Sequence, residues 1–214
     1  TKVNDVSALG GVHTLDLSHC VNVTDVSALY GVHTLDLSRC INITDVRALG
    51  SVHTLDLRWT NVTDVRALGS VHTLDLTHCS NVSEVSALGG VHTLDLSHCS
   101  NVTDVRALGG VHTLDLRWTN VTDVSALGGV HTLDLSWTNV NDVSALSGVH
   151  TLDLSHCSNV TDVSALGGVH TLVLSWTKVN DVCALGGLHT LDLSDCVNVT
   201  AVSYTHLRAH ETDS

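Results

Sequence analysis

Apolar positions along this chain follow two alternating spacings. Leu15 and Leu17 flank Asp16, with Thr14, Asp16 and Ser18 directed the other way, which is the period of two expected of a strand. Val23, Val26, Leu29, Val32 and Leu35 then fall at every third position, a spacing too tight for an α-helix and suited to extended or 3₁₀ turns. The pattern is copied along the chain. V-H-T-L-D-L-S at Val12 to Ser18 returns nearly letter for letter, placing histidine at 13, 33, 53, 72, 92, 112, 131, 150, 170 and 189, in steps of 19 or 20 residues. Each copy predicts one short strand and one tight return. Stacked copies predict a solenoid of about ten short strands in one parallel sheet, joined by 3₁₀ or extended returns, at ~4.8 Å per coil.

The positions Val12, Leu15, Leu17, Cys20 and Val23 match L-x-x-L-x-L-x-x-(N/C/T)-x-L, and on these residues the chain resembles the leucine-rich repeat family. The segment T-D-V-S-A-L at Thr24 to Leu29 looks like the D-I-x-P-L segment of internalin-like repeats. The resemblance covers residues 1–202 and implies an α/β-type solenoid, a horseshoe or arc with about ten short parallel strands on its concave face and the 3₁₀ or extended returns on its convex face. Two departures stand out: Ala28 and its equivalents replace the proline frequent in that subgroup, and the period is one triplet shorter than the ~22 residues usual there. The backs of the coils are therefore expected to be thin. After each strand comes Cys (20, 40, 79, 99, 157, 196) or Thr (60, 119, 138, 177), and every Cys form carries one extra residue before the asparagine. The resemblance implies that this side chain points inward and bonds the backbone of the neighbouring turn.

The register holds to Ser203 and then fails at Tyr204, Thr205, His206 and Leu207. Residues 203–214 form a non-repeat tail, disordered or artefactual, and S-Y-T-H-L-R-A-H-E-T resembles a translated sequencing-adapter read-through. No role is assigned to its His206, His210 or Glu211. Thr1 enters in the middle of a coil and neither end carries a capping unit, so a fragment of a longer array is expected.

Charge narrows the range of partners. Lys and Arg number 9 against 22 Asp and Glu, a formal net charge of -13, which repels nucleic acid and anionic membranes and favours a basic protein partner. No apolar run approaches the ~18 residues of a membrane-spanning helix.

Aspartate occupies the strand at 16, 36, 56, 75, 95, 115, 134, 153 and 192, with Val173 the exception. Unit charges ~4.8 Å apart in water repel by roughly 0.9 kcal/mol per pair, so an unpaired acidic stripe would attract Lys, Arg or a cation; the alternative is a solvated polar face copied by duplication. Two residues beyond each Asp-Leu pair the copies diverge: His19, Arg39, Trp59, His78, His98, Trp118, Trp137, His156, Trp176 and Asp195. Large, chemically distinct side chains at one rim position suit recognition, and drift at an exposed site is the alternative. The candidate partner-binding set is Asp56, Trp59, Asp75, Asp95, Asp115, Arg117, Trp118, Asp134, Trp137, Asp153 and Trp176, with Trp118 and Trp137 placed to form one aromatic patch.

Other polar rows read as structural. Asp5, Asp25, Asp45, Asp64, Glu84, Asp104, Asp123, Asp142, Asp162 and Asp181 are expected to form turns; calcium binding is the alternative, without the Gly-x-Asp pattern of calcium-binding solenoids. The V-H-T histidines stack beside the strands and offer a pH switch, but lack the further close ligands of a zinc site. Seven cysteines, an odd number, favour buried reduced thiols and an intracellular, reducing compartment over disulfides between Cys20 and Cys40 or Cys79 and Cys99. The eight N-x-[ST] sequons (Asn22, Asn42, Asn61, Asn81, Asn101, Asn120, Asn159 and Asn198) follow from repetition. No nucleophile, base and orienter stand together, so no enzyme, cofactor or metal site is expected. The functional expectation is a protein-interaction scaffold for a basic partner on the concave face. A structural or adhesive spacer, or ice binding by the Thr14, Thr34, Thr54 row, are the alternatives.

Overall fold

The computed structural model describes residues 3–199. Ten strands run in chain order through one parallel sheet: β1 (Thr14–Asp16), β2 (Thr34–Asp36), β3 (Thr54–Asp56), β4 (Thr73–Asp75), β5 (Thr93–Asp95), β6 (Thr113–Asp115), β7 (Thr132–Asp134), β8 (Thr151–Asp153), β9 (Thr171–Val173) and β10 (Thr190–Asp192). Like pairs with like in every register, Thr54 with Thr73 and Asp56 with Asp75. Identical rows of side chains therefore run the length of the sheet. The backbone ladder continues past the three-residue strands, with Thr34 N–H donating to the His13 carbonyl at 3.0 Å and Leu17 N–H to the Asp36 carbonyl at 2.8 Å.

The every-third apolar spacing takes its predicted form. Leu29 N–H donates to the Val26 carbonyl at 3.0 Å and Val32 N–H to the Leu29 carbonyl at 3.1 Å, the i to i+3 pattern of a 3₁₀ turn. Eight returns contain a 3₁₀ segment, and the described residues include no α-helix. Successive apolar residues of each return thus face one way, joining the strand leucines in a single continuous core. Each fully buried leucine contributes roughly 1.5–3 kcal/mol relative to exposure. The backs of the coils are thin, as a Cβ on Gly50 or Gly89 would lie 2.3 Å from the carbonyl oxygen of Ala67 or Ala107 in the next coil.

The two coil lengths have a local cause. In the Cys form the extra residue makes one more tight turn, Ile43 N–H to the Cys40 carbonyl and Val82 N–H to the Cys79 carbonyl at 3.0 Å, and pushes Val21, Ile41 and Val197 outward. The inward ladder also divides by residue type. Cys40, Cys79, Cys99, Cys157 and Cys196 donate through Sγ to a leucine carbonyl of the preceding coil at 3.0–3.1 Å, as the resemblance implied. Threonine differs. Thr60, Thr119, Thr138 and Thr177 donate to a carbonyl of their own coil, three residues back, at 2.6–2.7 Å, and the hydroxyls of Thr60, Thr138 and Thr177 also lie 3.5 Å from the cysteine Sγ of the following coil. No disulfide joins any cysteines among the described residues. Residues 200–202 of the expected array and the tail of 203–214 lie outside the described residues.

Candidate interaction surface

Two ladders run side by side on the sheet face. The first is the strand aspartates. In all nine, Oδ1 accepts the backbone N–H two residues on, at 2.8–3.0 Å, so each carboxylate organises the turn that leaves its strand. This turn-forming role was not evident in the repeat pattern, although Asp at the end of a strand is its signal. From Asp36 to Asp153 the row is half-buried rather than fully solvated.

Nor is the row unpaired. The guanidinium of Arg58 bridges two coils, its Nη2 2.5 Å from Asp56 Oδ2 and its Nε 3.3 Å from Asp75 Oδ2. Arg117 repeats this between Asp115, at 2.6 Å, and Asp134, at 3.4 Å. Arg117 is thus engaged within the chain, and Arg58, absent from the candidate set, has the same role. The signal was present in the sequence as D-L-R-W-T, which occurs at both places. Asp95 stands between these two bridges, and Asp153 accepts the hydroxyl and N–H of Ser155. Burial raises the carboxyls of Asp75, Asp115 and Asp134, the last to about 6.

The second ladder is the divergent rim position. All ten of its residues, from His19 to Asp195, adopt left-handed backbone with φ between 58° and 62°, and no described glycine does so. Left-handed backbone costs an L-residue roughly 1–2 kcal/mol relative to right-handed, so glycine would relieve strain at each place. Side chains stand there nonetheless, and most of them stack. Ring centroids are 3.7 Å apart for Trp59 and His78, 4.1 Å for His78 and His98, 5.7 Å for His98 and Trp118, 4.3 Å for Trp118 and Trp137, 3.7 Å for Trp137 and His156, and 5.5 Å for His156 and Trp176. Stacked aromatic pairs contribute roughly 0.5–1.5 kcal/mol each, enough to offset much of the backbone strain. Arg39 closes one end, its guanidinium carbon 5.4 Å from the Trp59 ring.

The candidate residues therefore fall into connected groups. Trp118 and Trp137 touch directly; Trp59 reaches them only through His78 and His98, and Trp176 only through His156. All four tryptophans remain 44–56% exposed. Beyond the opposite end of the strands runs a third ladder, the ten V-H-T imidazoles, with neighbouring centroids 4.5–4.7 Å apart. Desolvation and adjacent imidazoles hold His53, His92 and His131 below the ordinary histidine range.

The return side is different in kind. Its acidic row forms turns, each carboxylate from Asp5 to Asp181 accepting the backbone N–H two residues on at 2.9–3.1 Å. Hollows on that side repeat between coils, one lined by Asp25, Ser27, Asp45 and Arg47 and another by Asp142, Ser144 and Asp162. They are open and duplicated, without the convergent functional groups of a reaction centre. The asparagine row is occupied too: Asn42, Asn61, Asn101 and Asn120 each donate Nδ2 to a carbonyl of the preceding coil at 2.7 Å. Among the described residues, no three His, Cys, Asp or Glu side chains are placed to share a metal ion. No helix there is long and apolar enough to cross a membrane.

No family model matches the chain, and no curated protein sequence does. Solved structures do match. An internalin from Listeria monocytogenes, InlF, aligns with a TM-score of 0.67 at 20% identity over 83% of this chain and 62% of its own. The functional domain of InlJ from Listeria monocytogenes, which includes a cysteine ladder, aligns with a TM-score of 0.66 at 22% identity over 95% of this chain and 54% of its own. Internalin C2 from the same organism gives 0.65 at 22% identity, covering 88% of this chain and 92% of its own. The chain spans less than two thirds of the InlF and InlJ structures. Ten parallel strands in one open sheet, 3₁₀ returns and these neighbours together establish a leucine-rich-repeat solenoid of the internalin-like form.

Proposed function

We propose that the chain is a protein-interaction scaffold whose concave sheet face, comprising the aspartate row and the Trp/His rim, holds a basic protein partner. One observation carries this reading: nine in-register carboxylates share the face with only two bridging guanidiniums, beside a row of half-exposed tryptophans. Such a surface attracts cations over long range and offers aromatic edges and carboxylates at contact. Tryptophan also ranks high among residues that anchor interfaces. By the same electrostatics nucleic acid is disfavoured as a partner. The functional elements are many equivalent side chains in rows, which suits binding along a length and not bond-making at one point.

Binding of basic and acidic peptides at two salt concentrations tests the proposal. Basic peptides are expected to bind, more weakly as salt rises, and Asp115→Lys combined with Trp118→Ala is expected to reduce that binding at least about tenfold. Binding unaffected by this pair of changes would remove the sheet face as the site and leave a spacer, in which length matters and side chains do not.

A further inference from the structure

We infer that the sheet face selects arginine over lysine, and that a partner's guanidinium seats in the gap between Asp134 and Asp153, beside the Trp137 and His156 rings. This rests on the docking role proposed above and names its ligand chemistry.

The chain already contains examples of the occupant. Arg58 and Arg117 each lie between carboxylates of adjacent coils, gripping the aspartate of their own coil through Nη2 and Nε while the Oδ2 of the next aspartate stays 3.3–3.4 Å from Nε. A third guanidinium, that of Arg39, sits over Trp59. Carboxylate pairs and ring faces along these ladders thus accept guanidinium groups wherever the chain supplies them. The match is geometric. A planar fork places two donors, Nε and Nη2, on one carboxylate and still leaves its charge 3.3–3.4 Å from the carboxylate of the next coil, whereas an ammonium is a compact point charge without that two-donor fit.

Where the chain places serine instead of arginine, the same gap has no bridging guanidinium of its own. Between Asp134 and Asp153 that residue is Ser136. Both carboxylates use Oδ1 for the backbone N–H of Ser136 and Ser155, at 2.8 Å. Asp56 does likewise, accepting Arg58 N–H on Oδ1 at 3.0 Å while its Oδ2 meets the guanidinium. The oxygen that receives the cation is therefore in place before any partner arrives. Arg117 Nε, 3.4 Å from Asp134 Oδ2, compensates Asp134 only from one side. Beside this gap the Trp137 and His156 rings stack at 3.7 Å, with Trp118 continuing the stack. The gaps flanking Asp95 also lack arginine, but the rim beside the first is the His78 and His98 pair, without tryptophan, and the rim beside the second is His98 and Trp118, whose rings are 5.7 Å apart against 3.7 Å for Trp137 and His156.

The repeat supplies a built-in test. Ser136→Arg turns Asp134 to Thr138 into D-L-R-W-T, the sequence already present at Asp56 to Thr60 and Asp115 to Thr119. The variant coil is thus one this array already folds. Ser125→Arg is the control: it creates the T-D-V-R-A of Thr103 to Ala107 and adds the same charge on the return side. Binding of hexa-arginine and hexa-lysine peptides is measured by tryptophan fluorescence and calorimetry on all three proteins, with far-UV circular dichroism to confirm folding. Hexa-arginine is expected to bind the parent at least about fivefold more tightly than hexa-lysine. Ser136→Arg is expected to abolish that preference, and Ser125→Arg to retain it. Equal binding of the two peptides, or a preference untouched by Ser136→Arg, overturns the arginine site while leaving a general basic-partner surface standing. Absence of binding by both peptides refutes the docking role itself.

Discussion

Trp118 and Trp137, on adjacent coils, stack with ring centroids 4.3 Å apart and planes 11° from parallel, each carried on left-handed backbone. The pair concentrates the opposing forces of the rim. Backbone strain favours glycine at both places, while stacking and any bound partner favour a large ring.

Replacing Trp137 with glycine or alanine separates these contributions. Both variants remove the stack, so both are expected to lose the Trp118 and Trp137 exciton signal in the near-ultraviolet circular dichroism. Trp137→Gly is expected to be more stable than Trp137→Ala by about 1 kcal/mol, since only glycine adopts φ near +60° without penalty. Urea denaturation measures the difference, and equal stability would show that the left-handed backbone stores no strain.

Asp134 supplies a pH-dependent term of definite sign. Its carboxyl titrates at about 6 in the folded chain and near ~3.9 when unfolded, so the ionised form is penalised by folding. The penalty is absent below the unfolded value, grows as pH rises between the two, and is complete above the folded value. Asp134→Asn keeps an oxygen for the Ser136 N–H and removes the charge. With the side chain 26% exposed, this is expected to stabilise the protein by about 1–2 kcal/mol at neutral pH and by almost nothing near pH ~3.5, as read from urea midpoints.

The imidazole ladder works in the opposite direction. Folding holds His53, His92 and His131 below the ordinary range, so their protonation is easier in the unfolded chain. Stability contributed by their neutral forms is full above ~6.5 and is lost as pH falls through the folded values. An NMR titration is expected to show these three imidazoles protonating at lower pH than a free histidine. Titration at or above the free value would mean that stacking costs the charged form nothing.

Thiol chemistry tests the inward ladder. Cys183 is exposed and the other six cysteines are buried; burial pushes Cys40 up to about 11 and raises Cys79, Cys99 and Cys157 as well. Because the thiolate is the reactive form, a thiol-specific chromogenic reagent is expected to modify Cys183 in the native protein and the remaining six only on unfolding. Rapid reaction of several thiols under native conditions would contradict the closed core.

The architecture was legible because each repeat states it twice, once through the strand alternation and once through the triplet spacing, and every copy agrees. The acidic row was legible as a row, and so was the pairing of Trp118 with Trp137 on adjacent coils. The two fates of the inward ladder were not. Cys79 and Thr60 occupy equivalent places and were expected to bond alike, but one donates to the preceding coil and the other to its own.

The sequence by itself determined the coil, its period and which residues repeat in line, since all of these depend on local spacing and on the need to bury aliphatic side chains. Only the tertiary structure decided what neighbouring rows do to one another. That Arg58 and Arg117 bridge carboxylates of successive coils, that Asp134 becomes a weak acid, and that the rim rings stack on strained backbone all depend on groups roughly 20 residues apart being brought within a few ångströms. Coulomb, desolvation and stacking energies change steeply over that distance, which no spacing along the chain encodes.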